Sequence, residues 1–89
     1  MPKVAVPPPY RGPTKGEAQI DVAGHTILEC IEAVDARYPG FRAQVLDERG
    51  RVHRFVRLFL NGEALEPTAL ERAVADGDEV GVLAAIAGG

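Results

Sequence analysis

The chain has 89 residues, is 46% apolar, carries a formal charge of −3 and has one cysteine, Cys30. That length supports one domain with one modest core, and the mixed charge argues against nucleic acid or an anionic membrane as the main partner. A lone cysteine rules out an internal disulfide; with no long apolar run and no signal-like N-terminus, a cytoplasmic location is expected.

"PKVAV" opens with β-branched residues and predicts a first strand, with Val4 and Val6 on one face. "PPPYRGPTKG" follows, with four prolines and two glycines in ten residues. Proline donates no ladder hydrogen bond, so this is a loop. "PPPY" also satisfies a proline-rich recognition pattern, but between two pairing strands its prolines read as stiffening. "EAQIDV" alternates, with Ala18, Ile20 and Val22 facing one way and Glu17, Gln19 and Asp21 the other. It predicts a half-buried antiparallel strand.

"GHTILECIEAVDARYPG" predicts the main helix. Thr26 and Glu29 have the spacing of a capping box, and Ile27, Ile31, Val34 and Tyr38 form one apolar stripe. Pro39-Gly40 ends it. Cys30 falls on the flank of the stripe and reads as a half-buried structural cysteine, with no basic residue spaced to activate it. Residues 41–54, "FRAQVLDERGRVHR", are ambiguous, with a short helix and a charged turn around Gly50 as one reading.

"FVRLFLNGEALEP" reads as a strand, an Asn61-Gly62 hairpin turn and a shorter strand. Val56, Leu58 and Leu60 share one face, and Phe55, Arg57 and Phe59 the other. The all-aliphatic set suits a core. Phe55, Arg57 and Phe59 are then left outside, joined by Leu83 of the last strand, as a candidate partner interface. The alternative is that Phe55 or Phe59 tucks under the proline-rich loop or the 41–54 segment. "TALERAVADGDEV" places Leu70 and Val74 one helical turn apart, then a turn at Asp76-Gly77-Asp78. That turn falls short of a hard-cation ligand set. His25 and His53 lack ligand spacing, so no metal site is expected. "EVGVL" predicts the last strand, with Val80 and Val82 inward.

Strands distributed around one helix argue an α+β domain, a mixed sheet of four to five strands with the helix packed across one face. The first and last strands are expected to pair in parallel at its centre. The domain is expected over residues 1–83, followed by a flexible tail, 84–89, ending in Gly88-Gly89.

The order of these elements, with "HRFVRLFLNGEALE", "AVADGDEVGVL" and "AIAGG" in succession, resembles the ubiquitin-like β-grasp sulfur carriers, the MoaD/ThiS-like family. "HRFV" is most similar to its cysteine-synthase-linked branch. The resemblance covers essentially the whole chain. It implies a protein co-substrate, not an enzyme, with no bound cofactor. An E1-like adenylyltransferase/sulfurtransferase would use MgATP to adenylate the carboxylate of Gly89. Sulfide or a persulfide would then displace AMP and leave a thiocarboxylate. Gly88, without a side chain, would pass through a narrow tunnel, and Ala87 belongs to the tail that spans it. The acceptor implied is a pyridoxal-phosphate cysteine synthase. A molybdopterin synthase large subunit is the alternative acceptor, and conjugation through Gly89 to protein lysines is the alternative fate.

Overall fold

The structure is a computed structural model, and it describes residues 1–6 and 18–84. The loop expected over 7–16 and the tail residues Ala87, Gly88 and Gly89 lie outside the described residues. The elements in chain order are β1 (Lys3–Ala5), β2 (Gln19–Asp21), α1 (Ile27–Arg37), α2 (Phe41–Val45), β3 (Val56–Leu60), β4 (Glu63–Ala64), a 3-10 turn over Ala69–Glu71, and β5 (Glu79–Ala84).

The five strands form one mixed sheet in the order β2-β1-β5-β3-β4. β1 pairs in parallel with β5, Val4 opposite Val80, as the sequence leads one to expect. β2 closes one edge, antiparallel to β1. On the other side β3 runs antiparallel to β5 along its whole length, from Val56 opposite Ala84 to Leu60 opposite Val80. β5 therefore sits at the centre of the sheet, flanked on both sides, and its far end is where residues 85–89 continue.

Alternation decides which face is covered. Val4, Ile20, Val56, Leu58, Val80 and Val82 are all buried on the helix side. Ile27, Cys30, Ile31 and Val34 of α1 meet them. Ala18 departs from the expected inward set, being exposed. It lies just outside β2, itself an edge strand, so the core covers the pair Ile20 and Val22 and stops there.

α1 begins as the capping-box spacing implies, with a difference in the return bond. The Glu29 amide donates to Thr26 Oγ1 at 3.1 Å. The Glu29 carboxylate accepts from the amide of His25, one residue earlier than the N-cap, at 2.9 Å. The Glu29 amide is one of the helix's orphan donors; a second, the Ile27 amide, donates to the Arg72 carbonyl at 3.1 Å. Cys30 is fully buried, not half-buried. Gly24 explains why: a Cβ there would lie 3.0 Å from both the Cys30 amide nitrogen and Cys30 Sγ. Only a residue without a side chain lets the incoming loop lie directly on the first turn of α1 and seal the thiol. Burial, with Glu29 adding to it, pushes the Cys30 thiol up, which makes it a poorer nucleophile.

The ambiguous 41–54 segment contains both expected features. α2 is a short helix, and residues 47–50 make a turn with Gly50 at φ +76. Asp35 near the end of α1 organises the junction: its Oδ1 accepts from the amides of Gly40 at 3.1 Å and Arg42 at 3.0 Å. This seats Phe41, Val45 and Leu46 in the core, where Phe41 and Val45 are wholly buried. The spacing of Leu70 and Val74 does not extend a helix. The 3-10 turn ends at Arg72, and Val74 is buried beyond it, its amide bonded to the His25 carbonyl at 2.9 Å.

Among the described residues no helix is long and apolar enough to cross a membrane. No group of three or more His, Cys, Asp or Glu side chains among them converges as a metal site would require.

Candidate docking face and the root of the C-terminal tail

The hairpin turn that ends β3 sets the start of the last strand. Asn61 and Gly62 both have positive φ, +51 and +84, the geometry a two-residue hairpin needs. Asn61 has a second role that its turn signal does not announce. Its Oδ1 accepts from the Glu79 amide at 2.9 Å and its Nδ2 donates to Asp78 Oδ1 at 3.0 Å. Its own amide donates to the Glu79 carbonyl at 2.8 Å. Asp78 Oδ2 in turn accepts from the Ala75 amide at 2.9 Å. The Asp-Gly-Asp segment is thus a turn clamped to the neighbouring hairpin, and its aspartate is spent on fixing where β5 begins.

The donors around Asp78 favour its charged form. The Ala75 amide first, then Asn61, hold its carboxyl below the ordinary value of 3.8. Asp47 is held low in the same way, by the amides of Arg51 and Arg49 and by the nearby charges of His53 and Arg51. A carboxyl depressed in the folded state contributes stability above its unfolded value, and that contribution is lost as pH falls through the folded one. Asp78→Asn is therefore expected to melt below the parent at neutral pH, with the gap closing as pH drops below 3.8. Melting temperatures across an acid series check this; a gap independent of pH would contradict it.

Arg57, Phe59 and Leu83 share the β3–β5 ladder on the face away from α1, and Phe55 stands apart from them. Arg57 lies opposite Leu83 and Phe59 opposite Gly81 in the β3–β5 ladder. Leu83 is 50% exposed. Phe59 is half-buried. The ring lies over Gly81, where a Cβ would sit 3.3 Å from Phe59 Cβ, so the missing side chain makes the bed for the aromatic. Phe59, Gly81 and Leu83 line a shallow depression of about 580 Å³ that continues towards Ala5 and Gln19.

Phe55 precedes β3 and is 44% exposed. It stacks on His53, with ring centroids 5.0 Å apart and planes at 12°. His53 Nε2 lies 3.2 Å from the Ala43 carbonyl of α2. Phe55 thus leans on the 41–54 segment while staying open to solvent. Arg57 is exposed, and its Nη1 donates to the Arg54 carbonyl at 2.9 Å. Phe55 is set apart in the preceding turn against His53, while Arg57, Phe59 and Leu83 form an apolar and cationic strip along β3 and β5. It ends where Val56 meets Ala84, at the root of residues 85–89.

A five-stranded mixed sheet with parallel outer strands of the chain at its centre, one main helix across one face and an open face leading to a glycine-rich terminus defines the β-grasp class. The chain belongs to the ThiS family, which it matches over residues 10–89. It is similar to the sulfur carrier protein CysO of Mycobacterium tuberculosis, 35% identical over 97% of this chain and 96% of that protein. Among solved structures it is similar to CysO of Amycolatopsis orientalis, determined as a BexX/CysO complex, at a TM-score of 0.91 with 36% identity and complete coverage of both chains. Small archaeal modifier protein 1 of Haloferax volcanii shares the fold, at a TM-score of 0.77 and 22% identity over 99% of this chain and 98% of that one.

Proposed function

We propose that this chain is a sulfur carrier of cysteine biosynthesis, a co-substrate whose Gly89 carboxylate is activated by a partner enzyme. The observation that carries this is the similarity to CysO carriers over 97% of this chain, together with Gly88-Gly89 following the central strand in sequence.

The chemistry follows from what a carboxylate lacks. Its oxygen is a poor leaving group. A Gly89 oxygen attacks the α-phosphate of MgATP held by the adenylating partner, and pyrophosphate leaves. The acyl-adenylate then accepts sulfide at its carbonyl carbon, and AMP departs; where the donor is a persulfide, the acyl disulfide first formed is cleaved by a second thiol, which leaves as a disulfide with the donor. The product is a thiocarboxylate, a soft nucleophile that stays covalently attached until an acceptor uses it. A pyridoxal-phosphate cysteine synthase is the acceptor this reading favours.

The mixed anhydride needs a site closed to water. Gly88 has no side chain to obstruct such a channel. Six residues from position 84 reach on the order of 20 Å when extended, enough to thread a channel while the sheet face stays outside. Phe55, Arg57, Phe59 and Leu83 are the docking surface in this reading, and the chain supplies no catalytic side chain. The buried Cys30 has no part in the transfer.

The test is chain-dependent release of pyrophosphate by the adenylating enzyme from the carrier's own source, given MgATP. The carrier reading expects stoichiometric release only when the full chain is present. No release above the enzyme alone would refute it.

A further inference from the structure

We infer that Arg54 and Arg57 form a cationic clamp at the root of the tail, fitted to an acidic protein surface at the mouth of the adenylating enzyme's tail channel. The inference rests on the carrier reading above and adds the chemistry of the partner surface.

Charge is unevenly placed along this chain. Residues 49–62 hold four arginines, at 49, 51, 54 and 57, and no Asp or Glu, in a chain whose net charge is −3. The backbones of two of the four are tied to Asp47, whose Oδ1 accepts from the amides of Arg49 at 2.8 Å and Arg51 at 3.0 Å; of the side chains, the Arg51 charge acts on that carboxylate. The ion pairs among the described residues join the N-terminus to Asp76 and Arg42 to Glu32, and neither Arg54 nor Arg57 takes part.

Both guanidinium groups belong to exposed residues. Arg57 is held by the Arg54 carbonyl at 2.9 Å, a neutral acceptor that orients the group without compensating its charge. A guanidinium has five donors, so most of its N–H groups remain for a partner. That leaves one guanidinium held in place at Arg57, with capacity for carboxylates, and a second exposed cation at Arg54 in the turn just before the strand.

Their position gives the pair its meaning. Arg57 sits opposite Leu83, and Val56 opposite Ala84. Arg54 and Phe55 come just before that last pair. The clamp thus stands at the end of the sheet from which the tail continues, bordered by exposed Leu83 and Phe55. An apolar patch with cations at one end is complemented by an apolar seat with an acidic rim. On a net-negative molecule, such a local reversal of sign orients the encounter, tail end first, and raises the association rate. Two free arginines beside exposed aliphatic and aromatic groups fit a protein better than a run of phosphates, which rewards a longer basic surface.

The test uses the full-length chain and the adenylating enzyme, following pyrophosphate release against carrier concentration at low and high salt. Arg54→Glu/Arg57→Glu is expected to raise the KM for the carrier on the order of tenfold or more at low salt. Its kcat at saturation should be kept, and the difference should narrow as salt screens it. Arg54→Gln/Arg57→Gln, which removes charge without reversing it, should give a smaller rise. Arg72→Glu, next to the 3-10 turn packed on α1, should leave KM unchanged. Unchanged KM in both double variants, with folding verified by melting, would overturn the clamp while leaving the carrier reading intact. Retention of the parent chain on phosphatidylserine vesicles or a single-stranded oligonucleotide, with KM still unaffected, would assign the arginines to phosphates and also overturn it. If the parent chain supports no pyrophosphate release at any salt, the carrier reading itself fails and the clamp falls with it.

Discussion

Removal of Gly89 is expected to abolish thiocarboxylate formation while the domain keeps its melting temperature. The two halves of that expectation have separate causes. Among the described residues every buried core residue lies at or before Val82, and the ladder between β3 and β5 closes at Ala84. These contacts do not involve the last residue, whereas in the carrier reading the reacting carbonyl belongs to it. A chain ending at Gly88 presents its carboxylate roughly 3.5 Å short of the original position. Misplacement of reacting groups by about 1 Å already costs on the order of a hundredfold in rate. The loss should therefore exceed what a change in docking affinity produces, and raising the carrier concentration should not restore it. Circular dichroism melting and intact mass after incubation with the activating enzyme, MgATP and a sulfur donor read the two halves independently.

The largest effect on stability is expected at Phe41. It is wholly buried, among the largest side chains that are, and enters the core from α2. Phe41→Ala removes a ring from a packed interior and leaves a cavity that α2, tied to α1 through Asp35, cannot readily collapse to fill. Such substitutions cost about 3–5 kcal/mol. For a domain of this size, stable by roughly 5–13 kcal/mol on a per-residue scale, that is a large part of the margin. Urea unfolding should show a lower midpoint with a similar slope. A midpoint unchanged from the parent would mean that α2 is peripheral, contrary to the packing described here.

Periodicity made most of this fold legible before any coordinates. Val4, Ile20, Val56, Leu58, Val80 and Val82 were assignable to one face because a strand repeats every two residues and one face must meet the helix. The same alternation left Phe55, Arg57, Phe59 and Leu83 outside. The start of α1 was readable because Thr26 and Glu29 are a local signal.

Harder to read were features made by contacts distant in sequence. Phe41 and Val45 carry a helical spacing of four, but five residues with Arg42 among them are too few to establish a period. Asn61 announced a hairpin and concealed its clamp on Asp78, 17 residues away. Gly24 and the sealed Cys30 show the same limit, since nothing local says that a loop will lie on a helix start. For the site, alternation exposes the strip, whereas the pairing of Arg54 with Arg57 needs the turn before β3. For the acceptor of the sulfur the sequence offers only the short "HRFV" similarity, because in the carrier reading the chain contributes the terminus and a docking face and none of the acceptor's chemistry.

The central claim is that Gly89 carries the sulfur. The most direct measurement is the intact mass of the full chain after incubation with its adenylating enzyme, MgATP and a sulfide source. The carrier account predicts a gain equal to the replacement of one oxygen by sulfur, located by fragmentation to the C-terminal glycine. An unchanged mass under conditions where the enzyme is active, or a gain located at Cys30, would contradict it.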